Sequence, residues 1–330
     1  MLTTGSLFAG MGGFGAGLAL AGYNHVWANE IDPHACSTLR KNFPGVHIIQ
    51  DDIRKISAKD LDPIDVLTAG FPCQSFSQAG GRAGFGDERG GLFFEITRLV
   101  REFKDRLPPI LFLENVPFLL YGHNGSWFDI IRTELQKAGY WFTERNAMVL
   151  NTADVTGIPH RRERLFMIAL SRAHFKSNKF ELTFPKVRRK SLRSFLDLGK
   201  IKDSSYFLPT DNKYYRQLMR IVDPEVPDQL YHYRKYYARK VERGLCPTLT
   251  ANMGLGGHNV PFVFDSGGLR KLTEFECARL QGFDSRSFEF PSEVPRSKRY
   301  VQIGNSVSAP IATSIGTQLS EIMERAKKIA

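Results

Sequence analysis

Asp65-Val66-Leu67-Thr68-Ala69-Gly70-Phe71-Pro72-Cys73-Gln74, continued by SFSQAGGRAGFGDER over residues 75–89, is the stretch that decides the fold. The apolar run Asp65 to Ala69 reads as a buried strand of a parallel sheet. It ends at Gly70, and Pro72 has no N–H for a ladder hydrogen bond, so the sheet stops there. Cys73 then stands at the carboxyl end of a strand, where open α/β sheets bind their ligands. The glycine-rich loop that follows, through Gly80, Gly81, Gly84 and Gly86, is too poor in apolar residues to pack by itself. A loop of that length inside a domain is functional or mobile. A nucleophile with a lid is one reading, and a small buried cysteine in a turn is the other.

Working outward, other apolar runs end in polar or acidic clusters. Thr3 to Ala9 ends in Gly10-Met11-Gly12-Gly13, and helical spacing follows from Phe14 to Gly22. Strand, glycine turn and helix is the unit that brings backbone close to a nucleotide-like ligand, although the spacing departs from G-x-G-x-x-G. His25 to Asn29 ends at Glu30-Ile31-Asp32, about twenty residues beyond the glycine turn, where dinucleotide folds hold ribose hydroxyls. Asp32-Pro33 has the form of a helix cap. Val46 to Gln50 ends at Asp51-Asp52-Ile53, and Ile110 to Leu113 ends at Glu114-Asn115-Val116. In a sheet wound this way these ends line one cleft, which favours an adenosine-like cofactor. Trp127 to Ala138 is spaced as a helix stopped by Gly139. Leu165 to Leu170 reads as a further strand, preceded by His160-Arg161-Arg162-Glu163-Arg164, whose arginines are either solvated or turned onto an anion.

From about Ser171 the chain becomes more basic and loses its βα alternation. Lys186 to Arg193 is a basic run. Tyr231 to Lys240 interleaves cations with aromatics, which suits phosphate contact and base stacking, or else a surface element with snorkelling cations. Gly254-Leu-Gly-Gly257 is a candidate mobile loop, and Ser306 onward is a closing helix.

The 330 residues are 42% hydrophobic, enough for one or two domains, and the formal charge of +11 favours polyanions. The four cysteines, Cys36, Cys73, Cys246 and Cys277, show no zinc spacing, so they read as reduced thiols without a structural metal. There is no signal-like amino terminus and no apolar run long enough to span a membrane.

Together these motifs resemble the cytosine-5 DNA methyltransferases, most like the short bacterial restriction-modification type, over nearly the whole chain and in the family's order. The resemblance implies an α/β fold: the Rossmann-like, mostly parallel sheet of S-adenosylmethionine-dependent methyltransferases plus a smaller irregular target-recognition domain. The large lobe would hold residues 1–190, completed by 305–330, and the small lobe 191–304. For the cofactor, S-adenosyl-L-methionine, which leaves as S-adenosyl-L-homocysteine, it implies Phe8, Gly10, Gly12 and Gly13 in the glycine motif and Glu30 on the ribose. Ile31, Asp52 and Ile53 would lie at the adenine, with Gly70, Pro72, Leu92, Asn305 and Ser306 completing the site. Pro72-Cys73-Gln74, Glu114-Asn115-Val116 and Arg162-Glu163-Arg164 match the catalytic motifs, and Glu276-Cys-Ala-Arg279 and Gly304-Asn305-Ser306 the last two.

The implied roles are a Cys73 nucleophile at carbon 6 of a flipped cytosine, with Arg162 helping to raise its thiolate fraction. Glu114 would act at ring nitrogen 3 with a raised pKa, and Arg164 at the carbonyl oxygen, with no metal in any step. For DNA it implies Gln74, Ser77, Arg82 and Arg89 in a closing loop, and Thr248, Gly256, Gly257 and Arg279 in the small lobe. The partner would be double-stranded DNA, with a separate cognate endonuclease possible, and the protein a cytoplasmic bacterial monomer. A tRNA cytosine-5 methyltransferase, a silent DNA-binding regulator and a nicotinamide-dependent dehydrogenase are the alternatives. Three positions depart from the family: Ile31 replaces an aromatic residue, one residue is added near Val155-Thr156-Gly157, and Asp284 replaces a proline after Phe283.

Overall fold

A computed structural model of the protein describes residues 1–72, 91–201, 203–233, 237–254, 261–284 and 286–329, the side chains of 327–329 excepted. The expected apolar runs form β1 (Thr3–Leu7), α1 (Gly13–Leu20) and β2 (Asn24–Glu30). Next come α2 (Pro33–Asn42), β3 (His47–Gln50), β4 (Val66–Gly70) and α3 (Leu92–Glu102). These lead to β5 (Ile110–Asn115), α4 (Ser126–Lys137), β6 (Tyr140–Trp141) and β7 (Ala147–Asn151). The chain goes on through α5 (Thr152–Thr156), β8 (Glu163–Ser171) and α6 (Tyr215–Met219). β9 (Leu230–Tyr233), β10 (Ala238–Lys240), β11 (Pro261–Asp265) and β12 (Gly268–Lys271) follow. It closes with α7 (Glu274–Leu280), α8 (Arg296–Asn305) and α9 (Ala309–Ile329). Among the described residues no helix is long and apolar enough to cross a membrane.

The first unit, residues 1–150, 163–185 and 307–330, is built on one sheet. Its order is β3-β2-β1-β4-β5-β8-β6, with β7 also on β8. The first five strands are parallel, while β8 runs antiparallel to β5 and to β6. In the β4–β5–β8 register Gly70 stands beside Glu114, and Glu114 beside Phe166. The ends of β4 and β5 are therefore level. Asp32 caps α2 by accepting the His34 N–H at 2.8 Å, with Pro33 in the first turn, as the sequence pattern anticipates. α9 returns to α1: Thr313 Oγ1 donates to the Gly17 carbonyl at 2.9 Å, and a Cβ on Gly17 would lie 2.3 Å from the Ala309 carbonyl oxygen.

The second unit comprises residues 151–162 and 186–306. Against the anticipated boundaries, residues 151–162 lie here and not in the large lobe. Their bonds explain this: the Cys246 and Arg161 N–H groups bond Pro159 O and Cys246 O, and Lys190 N–H bonds Gly157 O. The unit has an antiparallel sheet of its own, ordered β10-β9-β11-β12, amid long irregular segments. Tyr231, His232 and Tyr233, read as possible base-stacking residues, are corrected by this sheet: all three are buried in β9. On β12, the fully buried Arg270 donates to Asp265 at 2.7 Å and with both terminal nitrogens to Glu276 at 2.9 Å. Glu276 also closes a capping box with Thr273 at the start of α7.

Candidate active site

The glycine turn after β1 is sharp. Phe8, Gly10 and Gly12 all have positive φ, 53°, 57° and 93°. For a bulky residue such as Phe8 that is an outlier of the kind found at ligand sites. The two glycines serve different ends. A Cβ on Gly10 would meet nothing within 4 Å, so the backbone there faces open space; a Cβ on Gly12 would lie 2.5 Å from the Phe43 ring. Gly13 begins α1 and is buried.

Glu30 closes the turn from the next strand. Its Oε2 accepts the Gly10 N–H at 2.8 Å, and its Oε1 accepts those of Ile31 and Asp32 at 2.8 and 2.9 Å. Burial raises the carboxyl above its ordinary value, opposed by these three N–H groups. A carboxylate has about four acceptor positions, which leaves room for one hydroxyl. Beside it Ile31, a large apolar side chain, is 62% exposed. Asp52 caps the short helix Ile53–Lys55 and is gripped by Arg54 Nη2 at 2.6 Å, which holds its carboxyl below the ordinary range. Ile53 itself is buried in the core. Asn29, to which the motif reading gave no role, donates from Nδ2 to the Ile49 and Asp51 carbonyls at 3.1 and 2.8 Å. Its own carbonyl accepts the Ala9 N–H. One buried residue, through its side-chain amide and its backbone carbonyl, thus ties together the ends of β1, β2 and β3.

At the end of β5, Glu114 is buried and paired with Arg164, Nε to Oε1 at 3.1 Å. Arg164 Nη1 donates to the Glu163 carbonyl. A Cβ on Gly70 would lie 3.5 Å from Glu114 Oε2, so the glycine leaves that carboxyl approachable. Asn115 Nδ2 donates to the Phe71 carbonyl at 3.1 Å, two residues before Cys73. Half-buried Pro72 follows, and Leu92 opens α3 against the core. Cys73, Gln74, Ser77, Arg82 and Arg89, and with them the expected lid, lie outside the described residues, as do Gly256 and Gly257. The three described cysteines are buried. Burial pushes Cys36 up to about 11 and raises Cys246 and Cys277 as well, so none of the three is a thiolate at neutral pH.

In the second unit the expected site residues carry structural bonds. Arg162, buried, donates from Nη1 to Leu249 O at 3.1 Å and from Nη2 to Gly304 O and Ser306 O at 3.0 and 2.7 Å. Gly304 lets α8 press on residues 250–251: a Cβ there would lie 2.2 Å from Ala251 N. Arg162 therefore joins the end of α8, with exposed Asn305 and buried Ser306, to the irregular segment that carries Thr248 and Leu249. Thr248 Oγ1 donates to Arg161 O at 2.7 Å. Arg279, expected at DNA, bonds Phe195 O at 3.0 Å and Asp197 at 2.6 Å. Of the departures, Asp284 accepts the Arg286 N–H at 3.0 Å and starts a turn, and Gly157, with φ 70°, ends α5.

The family model of the C-5 cytosine-specific DNA methylases matches residues 2–321. The chain is 39% identical to the type II methyltransferase M.Bsp6I of Bacillus sp. strain RFL6, over 98% of its length and 100% of that protein's. It is 34% identical to the type II methyltransferase M.HhaI of Haemophilus parahaemolyticus, over 95% of this chain and 94% of that one. The solved structure of the Entamoeba histolytica methyltransferase EhMeth superposes with a TM-score of 0.75 at 18% identity, covering 98% and 99% of the two chains, which bears on the fold alone.

Proposed function

The chain belongs to the C-5 cytosine-specific DNA methylase family and is a type II DNA cytosine-5 methyltransferase, and from this premise we propose that Cys73, Glu114 and Arg164 carry the transfer on a cytosine flipped out of duplex DNA. The carrying observation is the Glu114–Arg164 pair, held level with the end of the strand that leads to Cys73. Carbon 5 of cytosine is a poor nucleophile within an aromatic ring. The Cys73 thiolate adds to carbon 6, breaking aromaticity and making carbon 5 enamine-like. Glu114 in its protonated form donates to ring nitrogen 3 and gives up that proton as the bond to carbon 6 forms, so the added charge is neutralised there. Arg164 keeps the Glu114 carboxyl in place and meets the developing charge on the carbonyl oxygen. S-adenosylmethionine, when bound, supplies the methyl group that carbon 5 takes. The carbon 5 proton then passes to water acting as base, Cys73 leaves as thiolate with the electron pair of its bond to carbon 6, and Glu114 takes back the proton from nitrogen 3, which restores the ring.

The residues around the glycine turn fit that cofactor. The open backbone at Gly10, the remaining acceptor capacity of Glu30 and the exposed Ile31 side chain would take its backbone-facing, ribose and adenine parts. Asp52 and Ile53, just past the end of β3, would complete the wall of that pocket. Carbon 6 is stacked inside a duplex, so the base is extruded at a cost of a few kcal/mol. A nuclease cutting the same site would act separately as the restriction half of the system.

Duplex carrying 5-fluorocytosine tests this, because fluorine does not leave as the carbon 5 proton does. With S-adenosylmethionine the wild-type protein should form a denaturation-resistant adduct, and Cys73→Ser none. No adduct on any duplex, with cofactor binding intact, would overturn the reading, and an adduct on tRNA alone would move it to RNA.

A further inference from the structure

The basic run Lys186-Val187-Arg188-Arg189-Lys190-Ser191-Leu192-Arg193 takes no part in the site described above. Up to Ser191 it has no regular secondary structure, and Lys186, Arg188, Arg189, Lys190 and Arg193 are all exposed. A charge run is often just a solvated face. Three observations set this one apart.

First, its cations have no carboxylate partners among the described residues, in contrast to exposed Arg101, which pairs with Glu134, and exposed Arg296, which pairs with Asp203. Second, the backbone is fixed. Lys190 N–H bonds the Gly157 carbonyl at 2.8 Å, and a Cβ on Gly157 would lie 2.6 Å from the Arg188 carbonyl oxygen. Third, buried Leu192 anchors the far end, so five charges sit on a held backbone and not on a free tail. A fixed row of unneutralised cations loses little chain entropy on meeting a row of phosphates.

We propose that Lys186–Arg193 is a phosphate-contacting strap for duplex DNA that adds sequence-independent affinity and reads no bases. This rests on the methyltransferase reading, which supplies duplex DNA as the partner. Lys and Arg side chains that neutralise phosphates release condensed counterions, and each such contact adds about 0.9 to the slope of log affinity against log salt. If three of the first four cations make such contacts, removing all four should flatten the slope by about 2.7. Over a fourfold rise in salt that is an affinity loss about 40-fold smaller than in wild type.

The test uses the full chain with Lys186, Arg188, Arg189 and Lys190 all changed to Gln, beside Arg188→Lys/Arg189→Lys, which keeps the charge. Binding of a fluorescent duplex is followed by anisotropy from 50 to 200 mM KCl. The methylated sequence is read by bisulfite sequencing of plasmid DNA. The four-site variant should show the flatter slope and a higher KM for DNA, with kcat at saturating DNA and the methylated sequence unchanged; the Lys pair should match wild type. An unchanged slope overturns the proposal, and so does a changed methylated sequence, since the strap would then read bases. A wild-type protein that neither binds nor methylates duplex DNA sinks the methyltransferase reading and the strap with it, and is told apart because the defect is present before any substitution.

Discussion

Asn115 has no charge to lend to the reaction. Its Nδ2 holds the Phe71 carbonyl at 3.1 Å and its Oδ1 takes the Val116 N–H at 2.9 Å. The chain entering Cys73 is thereby tied to the strand that carries Glu114. A displacement of about 1 Å at reacting groups costs on the order of 10²-fold in rate. Asn115→Ala is therefore expected to lower the single-turnover methylation rate about 10- to 100-fold, with S-adenosylmethionine affinity unchanged. Asn115→Asp keeps the acceptor and loses the donor, so it should share the defect. Wild-type turnover in the Asp variant would show that the bond to Phe71 does not position the nucleophile. That Glu114 and Arg164 stand near strand ends is legible, since each adjoins an apolar run. The roles of Asn115 and Asn29 are not, because a neutral amide shows its role only through the carbonyls it reaches, in neighbouring strands or just past their ends.

Among elements, the end of α8 depends on a side chain from a distant part of the chain, and the seam between β12 and α7 on a buried ion triad from neighbouring residues. Arg162 takes up the carbonyls of Gly304 and Ser306 at the end of α8, and Gln281 adds a second bond to that of Ile303, which also accepts the Ser306 N–H. The same arginine reaches Leu249, so the turn bearing Asn305 and the segment bearing Thr248 share one support. At the other seam, Arg270 balances two buried carboxylates. Removing one partner of such a group leaves uncompensated buried charge and costs about 3–5 kcal/mol. Arg270→Ala should lower the urea midpoint accordingly when unfolding is followed by circular dichroism; a midpoint within error of wild type would mean the triad is not stabilising. The strands β1 to β5 of the large sheet are legible because each is a short apolar run stopped by Gly, Pro or an acid, whereas β6 and β7 are not read as strands from the sequence. The antiparallel turn of β8 is not legible either, because a run of apolar residues does not state which direction its neighbour takes.

Across the first unit, a buried polar chain runs through three strands: His25 Nε2 lies 3.1 Å from Ser6 Oγ, which lies 2.8 Å from Thr68 Oγ1. Burial lowers His25 from 6.5 to about 4, against a smaller raising effect from the Trp27 backbone. The folded value lies below the unfolded one, so the unfolded chain takes up the proton first as pH falls. The stabilisation is complete above pH 6.5 and is lost progressively down to about pH 4, by about 3 kcal/mol in all. All three tryptophans, Trp27, Trp127 and Trp141, belong to this unit, so their fluorescence reports on it. The denaturation midpoint it gives should fall between pH 6.5 and 4 in wild type and fall less in His25→Gln; equal falls would show that His25 is not held neutral.

The amino-acid sequence by itself determined the alternation of strands and helices, the glycine turn, the order of the motifs and hence the family and its chemistry. Each of those signals lies within a few neighbouring residues. Only the tertiary structure decided the fate of the cations and aromatics, since that depends on partners far along the chain. Arg162 meets Leu249 and Ser306, Arg279 meets Asp197, and Tyr231 and Tyr233 are buried in β9. A basic or aromatic residue is equally suited to bind a phosphate or base, to satisfy a buried carbonyl or to fill a core. Which of these it does depends on whether the folded chain has already taken up its hydrogen bonds and covered its surface.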